Sequence, residues 1–208
     1  RLNQYPVISQ VRKYRNELAP LFSVLKRFRI NGASIYWSGR VAKGFSPPTT
    51  AELLPSTGII STSLEAEHGW MYETTIKSFL LKNQLKLELT AFYFRLEDAL
   101  VQRRDSSGAD YFINTGNTKQ KGLELHADYK HYFRGKTIRS AGIRSDLTLN
   151  HFRYGNFIRG TENFSGKKLP SVPSAMISLL GDLEMKNGFY FSVNYYGASI
   201  VYLNDANT

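Results

Sequence analysis

Apolar and polar residues alternate with a period of two along most of the chain. Leu85, Leu87, Leu89 and Ala91 interleave with Lys86, Glu88 and Thr90. Leu123, Leu125, Ala127 and Tyr129 interleave with Glu124, His126, Asp128 and Lys130. The same pattern holds for Tyr72, Thr74, Ile76 and Leu80 against Glu73, Thr75 and Lys77, and for Phe189, Phe191, Val193 and Tyr195 against Ser192 and Asn194. Period two sends successive side chains to opposite faces of a strand, so each segment predicts a strand with one apolar and one polar face. Helical periodicity is scarce.

The punctuation is that of hairpins. Asn31-Gly32 and Asn187-Gly188 each separate two strand patterns, and Asn-Gly accepts the positive φ angles of a type I′ turn. A third tight turn is expected at Lys82-Asn83-Gln84, and an intermediate connection near 134–142. Long polar connections are expected near 46–68, 104–112 and 155–171, with Pro47, Pro48, Pro55, Pro170 and Pro173 in or beside them. Short and long connections alternate. In an antiparallel meander one end of the sheet then carries the tight turns and the other the large loops, as in outer-membrane barrels. The run from Leu85 to about Arg103 predicts a strand far beyond the usual globular length.

Aromatics cluster at both ends of the predicted strands. Phe28, Phe79, Tyr132, Phe133 and Phe189 lie toward the tight turns; Phe45, Phe92, Tyr93, Phe94, Phe152, Tyr154 and Tyr202 lie toward the long loops. The distance from Leu85 to Phe94 along a strand is about 30 Å. Tilted near 40° this gives a height of about 23 Å, close to the apolar band between the aromatic girdles of a membrane barrel. Alternation alone fits two architectures: a soluble sandwich with its apolar face in a core, and a barrel with its apolar face in lipid.

Composition narrows the classes. Of 208 residues, 42% are hydrophobic and 13% aromatic, which excludes a disordered chain. No apolar run is long enough for a transmembrane helix. The absence of cysteine excludes disulfide frameworks, zinc ribbons and thiol catalysis. The net charge of +10 suggests an anionic partner. A nucleic-acid surface would carry one basic stripe, whereas Lys26-Arg27-Phe28-Arg29 and Arg134-Gly135-Lys136 stand near the tight turns and other cations near the long loops; no nucleic acid is expected. The basic clusters by the tight turns are expected to meet lipid phosphates. The chain starts at Arg1 and stops in LNDANT straight after a strand pattern, so a piece of a longer protein is expected.

Four segments resemble the C-terminal part of the barrel of TonB-dependent outer-membrane receptors. VAKGFSPPTTAEL (41–53) is similar to that family's "GF-x-PP-x-x-x-EL". LEAEHGWMYETTIKSFLLKNQLKLELTAFYFRLEDALVQRRD (64–105) resembles its "PE-x-G-x-x-YE-x-G" strand, tight turn and returning strand. NTGNTKQKGLEL (114–125) resembles "NaG-x-t-x-x-x-GlEl", and KLPSVPSAMISLLGDLEMKNGFYFSVNYYGASIVYLNDANT (168–208) resembles the "LP-x-vP" opening of the final hairpins. Order and spacing agree with the family; Ala66 and Thr115 depart from it in small ways. The resemblance implies an all-β antiparallel transmembrane barrel fragment, with 1–208 supplying about eight strands of the 22-stranded class. The plug and the closing C-terminal strands would be absent. It further implies an outer-membrane active-transport receptor of a Gram-negative bacterium, of the siderophore type, with no covalently bound cofactor. Its partners would be a ferric chelate, the TonB-ExbB-ExbD complex reached through the plug and its TonB box, and membrane lipid or lipopolysaccharide.

If the apolar positions face lipid, the lumen and plug are faced by Glu73, Lys77, Lys86, Glu88, Glu124, His126 and Asp128, with Thr75, Thr90 and Lys130 beside them. Glu124, His126 and Asp128 share a face, but positions two apart on a strand are separated by about 6–7 Å, too far for one ion, and no metal site is expected. Ligand capture is expected at Arg103, Arg104, Tyr111, Arg153, Tyr154 and Arg159, since Arg and Tyr suit an anionic, aromatic chelate. There is no GxSxG elbow, HExxH helix or Walker loop, so no catalytic residue is assigned. The competing readings are a soluble carbohydrate- or protein-binding β-sandwich and an outer-membrane barrel hydrolase.

Overall fold

In the computed structural model the described residues are 16–30, 33–114 and 116–208. The Asn31-Gly32 turn and Thr115 lie outside them. The strands are β1 (Leu21–Ile30), β2 (Ala33–Ser46), β3 (Glu67–Leu80), β4 (Leu85–Glu97), β5 (Leu100–Arg104), β6 (Asp110–Asn114), β7 (Asn117–Tyr132), β8 (Ile138–Tyr154), β9 (Ile158–Arg159), β10 (Glu162–Asn163), β11 (Ala175–Met185) and β12 (Tyr190–Ala198), with a one-turn helix α1 (Thr50–Leu53). Eight of them form one antiparallel sheet, ordered β1-β2-β3-β4-β7-β8-β11-β12. The antiparallel sheet of about eight strands that the resemblance implies is present, and among the described residues it is open at both edges.

The register brings every apolar face to the same side. Trp37, Ile76, Leu89, Leu125, Leu147 and Ile177 follow one another as paired positions across six strands. These side chains are uncovered: Ile76 is 48% exposed, Leu89 45% and Val193 73%. Among the described residues the buried hydrophobics are only Leu64, Ala99, Tyr154, Phe157 and Phe164, all at or beyond the long-loop end. The other strands make only two-stranded hairpins, β5–β6 and β9–β10. A soluble sandwich needs a second layer over its apolar face. A belt this wide without one belongs in lipid.

The belt also records the strand tilt. Paired positions run from Ile35 through Ser78, Leu87, Ala127, Ser145 and Leu179 to Tyr195. Ile35 closes the apolar run of β2 on the tight-turn side, whereas Tyr195 closes that of β12 on the loop side. Between β2 and β12 the band therefore slides by the length from Ile35 to Val41, about 20 Å. Six strand spacings are about 29 Å. A level membrane then requires strands tilted by about 35°, within the range of transmembrane barrels.

Several local expectations change. The run beginning at Leu85 is broken after Glu97: Asp98 takes a left-handed φ of 55°, and Leu100–Arg104 pairs only with β6. The connection near 134–142 is tighter, since β8 starts at Ile138. At Asn187-Gly188 only Gly188 has positive φ, 96°. Gly188 N–H bonds Met185 O and Met185 N–H bonds Phe189 O, so the loop has three residues and a left-handed glycine rather than a type I′ pair.

The aromatic girdle is also thinner than expected. Phe79, Phe92, Phe94, Tyr132, Phe152 and Tyr154 share parity with Lys77 and Glu88 and fall on the polar face. Phe92 meets Phe152 edge-on at 6.1 Å and covers Gly122, where a Cβ would stand 2.6 Å from its ring. The GlEl glycine of the fragment resembling the family thus makes room for a ring. The belt's own aromatics include Phe22, Phe28, Trp37, Phe45, Trp70, Tyr72, Tyr93, Tyr129, Phe189, Phe191 and Tyr195.

Candidate functional site

Cross-strand geometry decides what the polar face does. Directly opposed side chains sit about 5 Å apart, and opposite charges are placed there. Arg40 bonds Glu73 at 2.9 Å. Lys77 and Lys86 converge on Glu88 at 3.1 and 3.5 Å. His126 Nδ1 lies 2.6 Å from Asp146 Oδ1, and Arg144 bonds Asp128 at 3.1 Å. Thr75 and Thr90 share a hydroxyl contact of 2.9 Å. Glu73, Lys77, Lys86, Glu88, Glu124, His126 and Asp128 therefore lie on one continuous polar wall. Glu124 stands between Thr90 and Thr148, in a recess of about 290 Å³ shared with Glu88, His126 and Asp146. Among the described residues no three His, Cys, Asp or Glu side chains are grouped to hold a metal ion. The tight-turn cations divide between the faces: Lys26 has the parity of Trp37 on the belt, and Arg27 that of Tyr36 on the polar side.

At the other end, three loops meet on one carboxylate. Asp205 is 7% exposed. Its Oδ1 accepts from the Tyr154 hydroxyl at 2.6 Å, and its Oδ2 faces Arg103 at 3.0 Å and Arg159 at 3.5 Å. Arg103 stacks over Phe157 and Arg159 over Phe164, at 5.4 and 4.8 Å. Tyr154, Phe157 and Phe164 form the buried cluster beneath, with Leu169 and Ala206 against it. An amide clamp closes the junction: Lys168 N–H bonds Asn207 Oδ1 at 2.8 Å while Asn207 Nδ2 bonds Lys168 O at 2.9 Å. Burial, with the neighbouring Asp205 carboxylate, pushes the Tyr154 phenol well above its usual range, so it stays a proton donor. Tyr154 has polar-face parity, which stands the junction over the inner side of the sheet.

The six residues proposed for capture thus have different surroundings. Arg103, Tyr154 and Arg159 come together at Asp205. Arg104 is exposed and bonds Asp110 at 2.9 Å, next to Tyr111, the partner of Arg103 in the β5–β6 hairpin. In the turn of that hairpin the Ser107 hydroxyl and the Ala109 and Ser107 amides hold the Asp105 carboxyl below its usual range. Arg153 has belt parity and donates to His151 Nε2 at 2.9 Å and to Gly166 O at 2.6 Å. Asp205, Phe157 and Phe164 had no local signal, because a lone aspartate in a polar tail is marked only by what folds onto it.

The remaining motif residues hold the loop bases. Thr49 and Glu52 cap α1 reciprocally. Asn114 accepts from Glu65 N–H at 2.8 Å and donates to the carbonyls of Glu65 and Asp98. Glu67 accepts from Leu100 N–H at 2.6 Å. Compared with known families, residues 27–208 match the family model described as TonB dependent receptor-like, beta-barrel.

Proposed function

Because the chain belongs to the TonB-dependent receptor family, as a stretch of its β-barrel, we propose that it forms part of the wall of a receptor importing a ferric siderophore or a similarly scarce nutrient. The chain is an outer-membrane protein of a Gram-negative bacterium, and its family works in TonB-dependent transport. The uncovered apolar belt is the observation that carries the reading: it suits a face in lipid, and the opposite polar wall suits a lumen. Energy would come from the TonB-ExbB-ExbD complex acting on a plug seated against that wall. Lumen charges already paired along the wall suit a plug that slides past without meeting bare ions. No covalent step is assigned to any residue here, and no resident cofactor is needed.

Within the loops, Arg104 and Tyr111 are the side chains proposed to touch ligand. Arg103, Tyr154 and Arg159 are proposed to act through the junction, by holding the loops over the lumen mouth. An anionic chelate is favoured by the basic balance of the chain and by the cation and ring pairs at this end. The test is growth of a strain lacking the full receptor on a panel of ferric chelates. Loss of growth on at least one chelate, restored by the receptor gene, is expected. Unchanged growth on every chelate, with loss of vitamin or glycan uptake, would remove iron from the proposal.

A further inference from the structure

The carboxylate at the loop junction belongs to a lightly anchored stretch of the chain. From Ile200 to Thr208 there is no strand, and Ile200 and Leu203 are 88% and 82% exposed. Hydrogen bonds hold the stretch instead. Ser171 N–H bonds Tyr202 O at 2.8 Å, Lys167 Nζ bonds Ala206 O at 2.9 Å, and the Asn207 amide clamps Lys168. A segment with few buried apolar contacts opens at low cost. The groups that receive Asp205 are fixed more firmly. Arg103 lies in β5 and Tyr154 ends β8. Phe157 and Phe164, buried with Tyr154 in one cluster, carry the Arg103 and Arg159 guanidiniums on their rings.

Asp205 fills this pocket incompletely. Its Oδ2 serves both guanidiniums, while Oδ1 takes the Tyr154 hydroxyl. Arg103 Nε and Nη2 are buried without a hydrogen-bond partner among the described residues. Nη2 stands 3.0 Å from Oδ2, close enough for charge attraction but off the direction of its N–H. A guanidinium donates best when two oxygens face its fork together, and a buried donor left unfilled costs free energy. The pocket thus offers two cations, a phenol donor and an unused fork. Arg159 is 43% exposed, which gives an approach from solvent.

We propose that Arg103, Arg159 and Tyr154 form a binding site for a carboxylate of the incoming ligand, and that Asp205 occupies it as an internal stand-in that the ligand displaces. A free carboxylate can set both oxygens on the Arg103 fork, which Asp205, tied to its segment, does not. The tether gives Asp205 an effective concentration on the order of millimolar. A monocarboxylate therefore loses to it, whereas a ligand with several carboxylates, or with further contacts at Arg104 and Tyr111, wins. Exchange releases the stretch 200–208, so arrival of ligand becomes a movement of chain at the loop junction. The proposal rests on the reading of these loops as the capture site for an anionic ligand and names the group that is captured.

The test is limited proteolysis of the full-length receptor in acetate, tricarballylate or chloride at equal ionic strength, with heat-modifiable mobility as the check on folding. In the Asp205→Ala receptor, acetate should enter the emptied site and slow cleavage of the 155–171 loop relative to chloride. A site of about 20 mM affinity gives roughly tenfold slowing at about 200 mM acetate. Adding Arg103→Gln should abolish the difference. In the unaltered receptor tricarballylate, a tricarboxylate, should speed chymotrypsin cleavage after Tyr202 several-fold, and acetate should not. Equal cleavage of Asp205→Ala in acetate and chloride overturns the site. Protection by acetate without faster cleavage at Tyr202 in tricarballylate overturns the exchange. Should Asp205→Ala fail to assemble, Asp205→Asn keeps the shape, removes the charge and serves for the same comparison. No readout uses a ferric chelate, so the carboxylate site and the iron assignment stand or fall separately.

Discussion

Replacing Asp205 with alanine is expected to open the extracellular junction while leaving the sheet intact. The carboxylate is nearly buried and neutralises Arg103 and Arg159 while accepting from Tyr154. Deleting one partner of a buried ion pair costs about 3–5 kcal/mol, because the other charge is left uncompensated. Here Arg103 suffers most: its Nε is already buried without a hydrogen-bond partner among the described residues. The open form of the junction should rise on the order of a hundredfold or more. Limited proteolysis of the receptor in intact cells should then cut the 155–171 loop much faster than in the unaltered protein. Tyr154→Phe, which removes one hydroxyl, should have a smaller effect of about 1 kcal/mol. Equal cleavage in Asp205→Ala and the unaltered receptor would show that the loops are held elsewhere.

The second large effect is expected from a charge in the belt. Leu125 is exposed on the apolar face at the middle of the row Ile76–Leu89–Leu125–Leu147. Arginine on the lipid face of a barrel costs about 2–4 kcal/mol near the bilayer midplane. Leu125→Arg should therefore lower the yield of folded, heat-modifiable barrel severalfold. Glu124→Arg, one residue away, points into the polar wall and should have little effect on folding yield. A soluble sheet of the same alternation, with Leu125 in a core, would also reject arginine. A probe of the medium on each face separates the two.

Strand existence, order and face were legible in the residues. Alternation names one residue in two, and tight turns at 81–84 and 187–188 leave little choice of partner. What alternation could not supply was the medium on each side, since leucine in a core and leucine in lipid alternate alike. The register supplied it, by lining up Trp37 to Ile177 with none of the described residues layered above them. Parity also divides the aromatics: Phe92 and Phe94 flank Tyr93, so the two phenylalanines cannot share a girdle with it. The break at Asp98 was hidden because LEDALVQRR keeps strand-like composition through a residue of left-handed φ.

The loop site was the least legible part. Arg103, Tyr154 and Arg159 were singled out for their chemistry, yet their common partner lies in the terminal segment, 51 residues beyond Tyr154 in the chain. Contacts of that range leave no period and no spacing in a sequence. The cross-strand pairs of the polar wall are easier to read because strand register sets them, as it sets Lys77 against Glu88.

The central claim is that the Leu125 face meets lipid and the Glu124 face meets lumen water. The chain has no cysteine, so Leu125→Cys and Glu124→Cys can each carry a single nitroxide in the reconstituted receptor. Collision with molecular oxygen, which concentrates in lipid, and with a water-soluble nickel chelate reports the surroundings of each label. The expected result is strong oxygen and weak nickel broadening at Leu125, with the reverse at Glu124. Strong nickel broadening at Leu125, or the same ratio at both positions, would contradict the assignment of the two faces.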